Sequence, residues 1–315
     1  MANRIANPIY DSVFKFMMED ERVARTLLSA LLQKKVVRVE VRPHEYSNTQ
    51  QERISIFRID FGAYIMEDDG SEHLIIVELQ KTWRPTETLR FRRYLGVQYE
   101  DERNVSSETG EPLPIVSIYL LGHKVDDLKE SVVYVRRRYL DYDSNEIKEG
   151  VPSPFVEQLT HDSIIVQIPY LTGNVRNHLE ALLNVFDQSY VTAESKQMLA
   201  VEGRNESTDE DVRYIFNRLA YAAANPDVRH MMDVEDEILG ELEDLDTTIA
   251  RQKEQLQKKD EQLSQKDEEL SQKDEQLSQK DEQLSQKDEQ LSQKDEQLSA
   301  MQEELEQLRK LLSQK

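Results

Sequence analysis

The sequence predicts an α+β head, with a mixed sheet flanked by helices, followed by one long C-terminal helix. Three observations carry this. Short β-branched and aromatic runs alternate with longer amphipathic ones through roughly the first 225 residues, as a covered mixed sheet requires. A tight acidic turn joins two apolar runs in "FRIDFGAYIMEDDGSEHLIIVELQ", residues 57–80. Finally, "SQKDEQL" occurs four times without a mismatch from Ser271 to Leu298, and a seven-residue repeat of this kind is a heptad helix. The domain reading is a head over 1–230 and a heptad arm over 231–315.

The elements follow in order. "NPIYDSVFKFMMED" and "ERVARTLLSALLQ" read as helices, with Pro8 where a helix start tolerates it. "KVVRVEVRP", "SIFRIDFGAYI" and "HLIIVELQ" read as strands, and "TETLRFRRYLGVQYEDE" as a helix. Three more strands are expected in "LPIVSIYLLG", "SVVYVRRRYLDY" and "SIIVQIPYL". Helices then return in "NHLEALLNVFD", "AESKQMLAV" and "DEDVRYIFNRLAYAAA", with a linker near 225–233. In the arm, Leu242, Ile249 and a leucine at every seventh position from Leu256 to Leu312 form one seam. The other seam position is apolar at the ends (Ile238, Leu245, Met301, Leu308) and is Gln252 or one of six lysines, Lys259 to Lys294, between them. Neither Pro nor Gly follows Gly240, so the arm reads as one helix, with a homo-oligomer as its natural use.

Composition sets bounds. There are no cysteines, and the six histidines lack ligand spacing, so any metal must sit on oxygen ligands. Nothing reaches the roughly 18 consecutive apolar residues of a membrane span. The chain therefore reads as cytoplasmic, without a membrane partner. Formal net charge is −22; residues 241–315 hold 12 Lys and Arg against 21 Asp and Glu, which leaves −13 for residues 1–240. Such a body repels phosphate except at a local basic patch or through metal ions.

The hairpin carries the candidate chemistry. Alternation puts Asp60 on the face opposite Phe57, Ile59 and Phe61, while Glu78 and Gln80 share a face. A three-residue loop Asp68-Asp69-Gly70 pairs Glu67 with Ser71 and hence Asp60 with Glu78; a two-residue Asp69-Gly70 turn would separate them. The first is expected, because the second puts Asp60 among Val77 and Leu79. Facing carboxylates need a cation or a raised pKa, and Mg²⁺ or Mn²⁺ fits an oxygen-only donor set. The plain alternative is a satisfied strand carboxylate.

At these residues the chain resembles the PD-(D/E)XK nucleases. "NPIYDSVFKFMM", "RIDFGAYI", "IIVELQK" and "LRFRRYLGVQY", in that order, look like the recombination-promoting nuclease (Rpn) and PD-(D/E)XK transposase branch over roughly residues 4–225. The resemblance implies a restriction-endonuclease-like core and a metal-dependent DNA endonuclease of transposase or recombination type. Asp60 and Glu78 would be its metal ligands, and Gln80 would stand at the family's usual lysine. Ile59 replaces the proline of the motif name, a change without chemical weight. Gln80 is weightier, since an amide cannot supply a lysine's positive charge to the transition state. Asp11 and Lys15, one helical turn apart, are possible accessory residues, with an ordinary ion pair as the alternative. "WRPTETLRFRRY" offers Arg84 and Arg92 and, as DNA-binding residues, Arg90, Arg93 and Tyr94. Arg136, Arg137 and Arg138 form a second basic run that a strand would split between its faces. The competing functions are a nuclease fold without turnover, serving as a nucleic-acid or protein binding module, and a structural coiled-coil protein.

Overall fold

A computed structural model describes residues 4–41, 61–81, 87–106, 108–171, 173, 175–201 and 207–312. From the N-terminus the elements are β1 (Arg4–Ala6), α1 (Asp11–Met18), α2 (Glu21–Leu32), β2 (Val36–Val41), β3 (Phe61–Glu67), β4 (Glu72–Gln80) and α3 (Glu87–Glu100). There follow β5 (Ile115–Leu121), β6 (Val132–Val135), α4 (Pro154–Leu159), β7 (His161–Gln167) and α5 (His178–Leu183). The chain ends with β8 (Val191–Thr192), β9 (Ser195–Ala200), α6 (Glu210–Ala224) and α7 (Pro226–Leu312). It divides into two compact units, Met1–Leu239 and Gly240–Lys315.

The first unit is built on a six-stranded mixed sheet in the order β2-β3-β4-β5-β7-β6. Strands β4, β5 and β7 run parallel, and the other neighbours are antiparallel. A parallel neighbour needs a crossover, and α3 supplies it between β4 and β5. A second, three-stranded sheet has the order β1-β9-β8. The α+β class, the mixed sheet and the long C-terminal helix are therefore as the sequence predicts.

Alternation on β4 separates two interiors. Ile75, Val77 and Leu79 join the main core with Phe14, Met17, Leu28, Phe186 and Phe216 from the helices on that side. Leu74 and Ile76 point the other way, into a smaller cluster with Leu113 and Ile115, flanked by Tyr64, Tyr94 and Leu95. Helix α2 is fixed at its start by Asp20, whose carboxylate accepts from the amides of Arg22 and Val23. Its end turns through Gln33 at φ 57°.

The expected hairpin turn is present. The Glu67 amide donates to the Ser71 carbonyl at 2.9 Å, the Gly70 amide to the Glu67 carbonyl at 3.1 Å, and Gly70 sits at φ 85°. This three-residue loop sets Met66 opposite Glu72 and Phe61 opposite Val77. Asp60, the next position, lies outside the described residues.

Three expected elements differ. "AESKQMLAV" is not a helix: Ser195–Ala200 is β9, paired with β1 and β8, so a run of helix-favouring residues yields to sheet pairing. "SVVYVRRRYLDY" is strand only over Val132–Val135. The stretch 225–233 is no linker, because α7 begins at Pro226 and buries Val228 and Met232 in the main core. In the second unit α7 is helical throughout Gly240–Leu312, and its seam from Ile249 to Leu305 is 49% to 60% exposed. The heptad leucines thus have no apolar cover among the described residues.

Candidate metal and nucleic-acid site

Glu78 and Gln80 lie at the C-terminal end of β4 on the face covered by α3, and are only 5% and 6% exposed. Parallel pairing sets Glu78 beside Tyr119 and Gln80 beside Leu121 on β5. Phe91 of α3 lies over Tyr119, ring centroids 5.1 Å apart. Burial raises the Tyr119 pKa, and the Glu78 charge adds to the shift. The carboxylate is therefore held at low local dielectric beside a phenol that stays neutral. The Gln80 Nε2 is buried without a hydrogen-bond partner among the described residues. A buried amide left short of a partner is uncommon, and it marks this end of the strand.

The strand end is pinned from behind. The Gly122 amide donates to the Gln80 carbonyl at 2.7 Å, and a Cβ on Gly122 would lie 2.4 Å from the Lys81 carbonyl oxygen. Only glycine lets β4 and β5 approach so closely. Lys81, next to Gln80, belongs to the opposite side. Its ammonium sits 3.6 Å from the centroid of the Tyr10 ring and 3.5 Å from Asp236 Oδ1. Burial holds the Lys81 pKa below its ordinary range against the pull of Asp236.

Asp236 and Glu235 come from the first turns of α7. Asp236 accepts from the Tyr10 hydroxyl at 2.7 Å and from Gln197 Nε2 at 3.0 Å. Burial pushes its pKa up, but the hydrogen bonds from Gln197 and Tyr10 outweigh this and hold it below the usual range. Glu235 accepts from the amides of Asp11 at 2.9 Å and Ser12 at 2.8 Å, so it caps α1 from another helix. Burial raises its pKa despite those bonds. Tyr10, Lys81, Glu235 and Asp236 are the residues the sequence reading missed. The adjacency of Lys81 to Gln80 was the one available signal.

The expected residues fall as follows. Glu78 and Gln80 come together; Asp60 lies outside the described residues. Asp11 and Lys15 form an i,i+4 ion pair at 2.6 Å on α1, which packs on the main-core side of the sheet. Asp11 Oδ1 is buried without a hydrogen bond among the described residues. On α3, Arg93 is exposed, while Tyr94 is half-buried against the smaller apolar cluster. Arg90 lies in the same helix, its side chain outside what is described. Arg84 lies outside the described residues too. Arg137 is structural: it pairs with Glu157 at 2.6 Å and Asp162 at 2.9 Å.

Among the described residues no three His, Cys, Asp or Glu converge on one point. The donors that do lie together, the Glu78 carboxylate and the Gln80 amide oxygen, are hard oxygens, the type that Mg²⁺ or Mn²⁺ takes. They fit such an ion in kind; Asp60, the further carboxylate the sequence reading expects, lies outside the described residues. No helix among the described residues is long and apolar enough to cross a membrane.

Residues 190–315, two fifths of the chain, match the family described as RNase Y N-terminal region. The matched span holds β8, β9, α6 and α7 and none of the six-stranded sheet. No curated protein and no solved structure matches the chain. This finding corrects the expected identity. The family matched is a ribonuclease's, not the Rpn and PD-(D/E)XK transposases, so the transposase-type DNA endonuclease is overturned, and with it the recombination role and DNA as partner. The resemblance had rested on four short segments of the head, all outside the matched span.

Proposed function

We propose that this chain acts on RNA as a metal-dependent phosphodiester hydrolase, with Asp60 and Glu78 holding Mg²⁺ or Mn²⁺ and Gln80 orienting the attacking water. The observation that carries it is the pair Glu78 and Gln80, both buried at the end of β4, with an amide nitrogen that finds no partner among the described residues. RNA as the substrate class is supported by the ribonuclease family matched over residues 190–315. When bound, the ion would polarise the phosphodiester and lower the pKa of a bound water. The chain's own residues would do the rest. Glu78 supplies charge at low dielectric, the neutral Tyr119 beside it adds none, and α3 with Phe91 keeps water from the back of the site. The finer fold reading, a restriction-endonuclease-like core, belongs with this proposal. Its support is a β3–β4 hairpin whose register runs toward position 60, followed by the α3 crossover to the parallel β5.

The test is cleavage of a labelled single-stranded RNA by the full chain in Mg²⁺ and in Mn²⁺. Cleavage should be lost in Glu78→Ala and in Asp60→Asn and kept or raised in Gln80→Lys, because a cation there stabilises charge developing on phosphate. Absence of cleavage by folded protein in both metals, or unchanged cleavage by Glu78→Ala, sinks the proposal.

A further inference from the structure

A cleft of about 580 Å³ opens beside β6, the turn after β7, the end of α2 and α5, with Tyr134, Tyr170, Lys129, Arg176, Gln33 and Asn184 in its lining. That volume suits a small organic ligand or one unit of a polymer. Its lining is balanced, with Lys129 and Arg176 against Glu130 and Glu180, within a body that carries −13 over residues 1–240. Lys124 Nζ stands 4.8 Å from the Tyr170 ring centroid and the Arg136 guanidinium 5.1 Å from that of Tyr134. Lys129 and Arg176 are exposed and have no ion-pair partner among the described residues. The two acids of the lining are occupied locally: Glu130 accepts from the Lys129 amide at 3.2 Å and Glu180 from the Arg176 amide at 2.7 Å. Asn184 is 7% exposed, and its side-chain amide makes no hydrogen bond among the described residues. A buried amide facing a cleft of this size is a ready partner for a ligand's polar edge.

We infer that this cleft is a nucleotide subsite for a single RNA strand. One base would lie against Tyr134 and Tyr170, its edge would bond to Asn184, and its phosphates would meet Lys129 and Arg176. The chemistry selects this ligand. Aromatic rings backed by cations hold π-faces, a neutral amide reads the donors and acceptors of a base, and free cations at the mouth take phosphate. A purely anionic ligand would leave the tyrosines and Asn184 without a role, and an apolar one would leave Lys129 and Arg176 without one. The inference rests on the RNA reading but not on the Glu78 site, because the lining comes from other elements.

The experiment is anisotropy of a labelled 12-nucleotide RNA with the full chain in EDTA, so that binding is read without cleavage. Tyr170→Ala should weaken binding roughly five- to a hundredfold, the cost of losing one base stack. Arg176→Ala should lower the slope of log K against log salt by about 0.7, one phosphate contact. An abasic strand of the same length should bind wild type no better than the normal strand binds Tyr170→Ala. Because Arg176 is exposed, its variant carries the test should Tyr170→Ala unfold. Unchanged binding in the folded variants, equal binding of the abasic strand, or tighter binding of the corresponding DNA overturns the subsite. RNA that binds through the cleft but is never cut sinks only the hydrolase. RNA that is cut while its binding ignores both variants sinks only the cleft.

Discussion

Leu79 and Gln80 are neighbours on β4 and almost equally buried, at 8% and 6%, yet they face different interiors. Leu79 enters a core of apolar side chains that fill one another's gaps. Gln80 and Glu78 face α3, and the Gln80 amide nitrogen has no hydrogen-bond partner among the described residues. One side of the strand is spent on stability, and the other gives up stability to keep a carboxylate and an amide out of water. A protein held together by the first can carry the second, because buried polar groups cost free energy that only a large dry core offsets.

The largest effect should come from breaking the dry side. Phe14 is fully buried and packs on Phe186, ring centroids 6.3 Å apart. Phe14→Ala should destabilise the head by about 3–5 kcal/mol, the usual cost of emptying an aromatic site in a core. Denaturant unfolding followed by tryptophan or circular dichroism measures it. A cost below about 1 kcal/mol would mean that this side is no tighter than the α3 side, and the contrast would fail.

What was legible in the sequence divides along the same line. The hairpin register could be read because local rules govern it: Gly70 fixes the turn, and the period of two then assigns every face. The sheet and main helices followed from periodicity. Strand β9 was illegible because Ser195–Ala200 favours a helix and its partner β1 is only three residues long. Glu235 and Asp236 were hidden for a different reason. They sit at the start of what looks like the arm, and their roles depend on Tyr10, Asp11 and Lys81, more than 150 residues away. The nucleotide cleft has no sequence signature, since its lining is gathered from positions 33 to 184.

A smaller effect sharpens the comparison at the cap of α1. Burial holds the Glu235 pKa above the usual glutamate value of 4.5. In the window between 4.5 and that raised value the folded chain binds the proton more tightly than the unfolded one, so this group's contribution to stability falls as pH rises. The slope for one proton is at most about 1.4 kcal/mol per pH unit. Glu235→Gln should remove that fall while keeping one oxygen to accept from the α1 amides. The check is stability against pH for wild type and variant, read as their difference. A difference that rises with pH through the window would reverse the sign and place the charged carboxylate as the favoured form. Asp236, whose pKa is held down, works oppositely and loses its contribution only as pH drops through its lowered value.

The smallest effect should come from the second unit. The head's contacts close within Met1–Leu239, and α7 has already buried Val228, Met232 and Glu235 before Gly240. Beyond it the helix keeps a leucine at every seventh position about half exposed and relies on good helix formers and local pairs such as Lys258 with Glu254 at 2.7 Å. Excision of residues 257–298 removes six whole heptads, so Met301 and Leu305 keep their register behind Leu256, and the helix shortens by about 63 Å at ~1.5 Å per residue. The midpoint of head unfolding should then stay within about 0.5 kcal/mol of wild type, as for changes remote from any packed feature, and RNA cleavage should persist. Unfolding of the head is followed by near-ultraviolet dichroism, which the heptads, with no aromatic residue, do not contribute to. A head that loses stability or activity in proportion to the heptads removed would show that the repeats are part of its working structure, and the two regions would have to be treated as one.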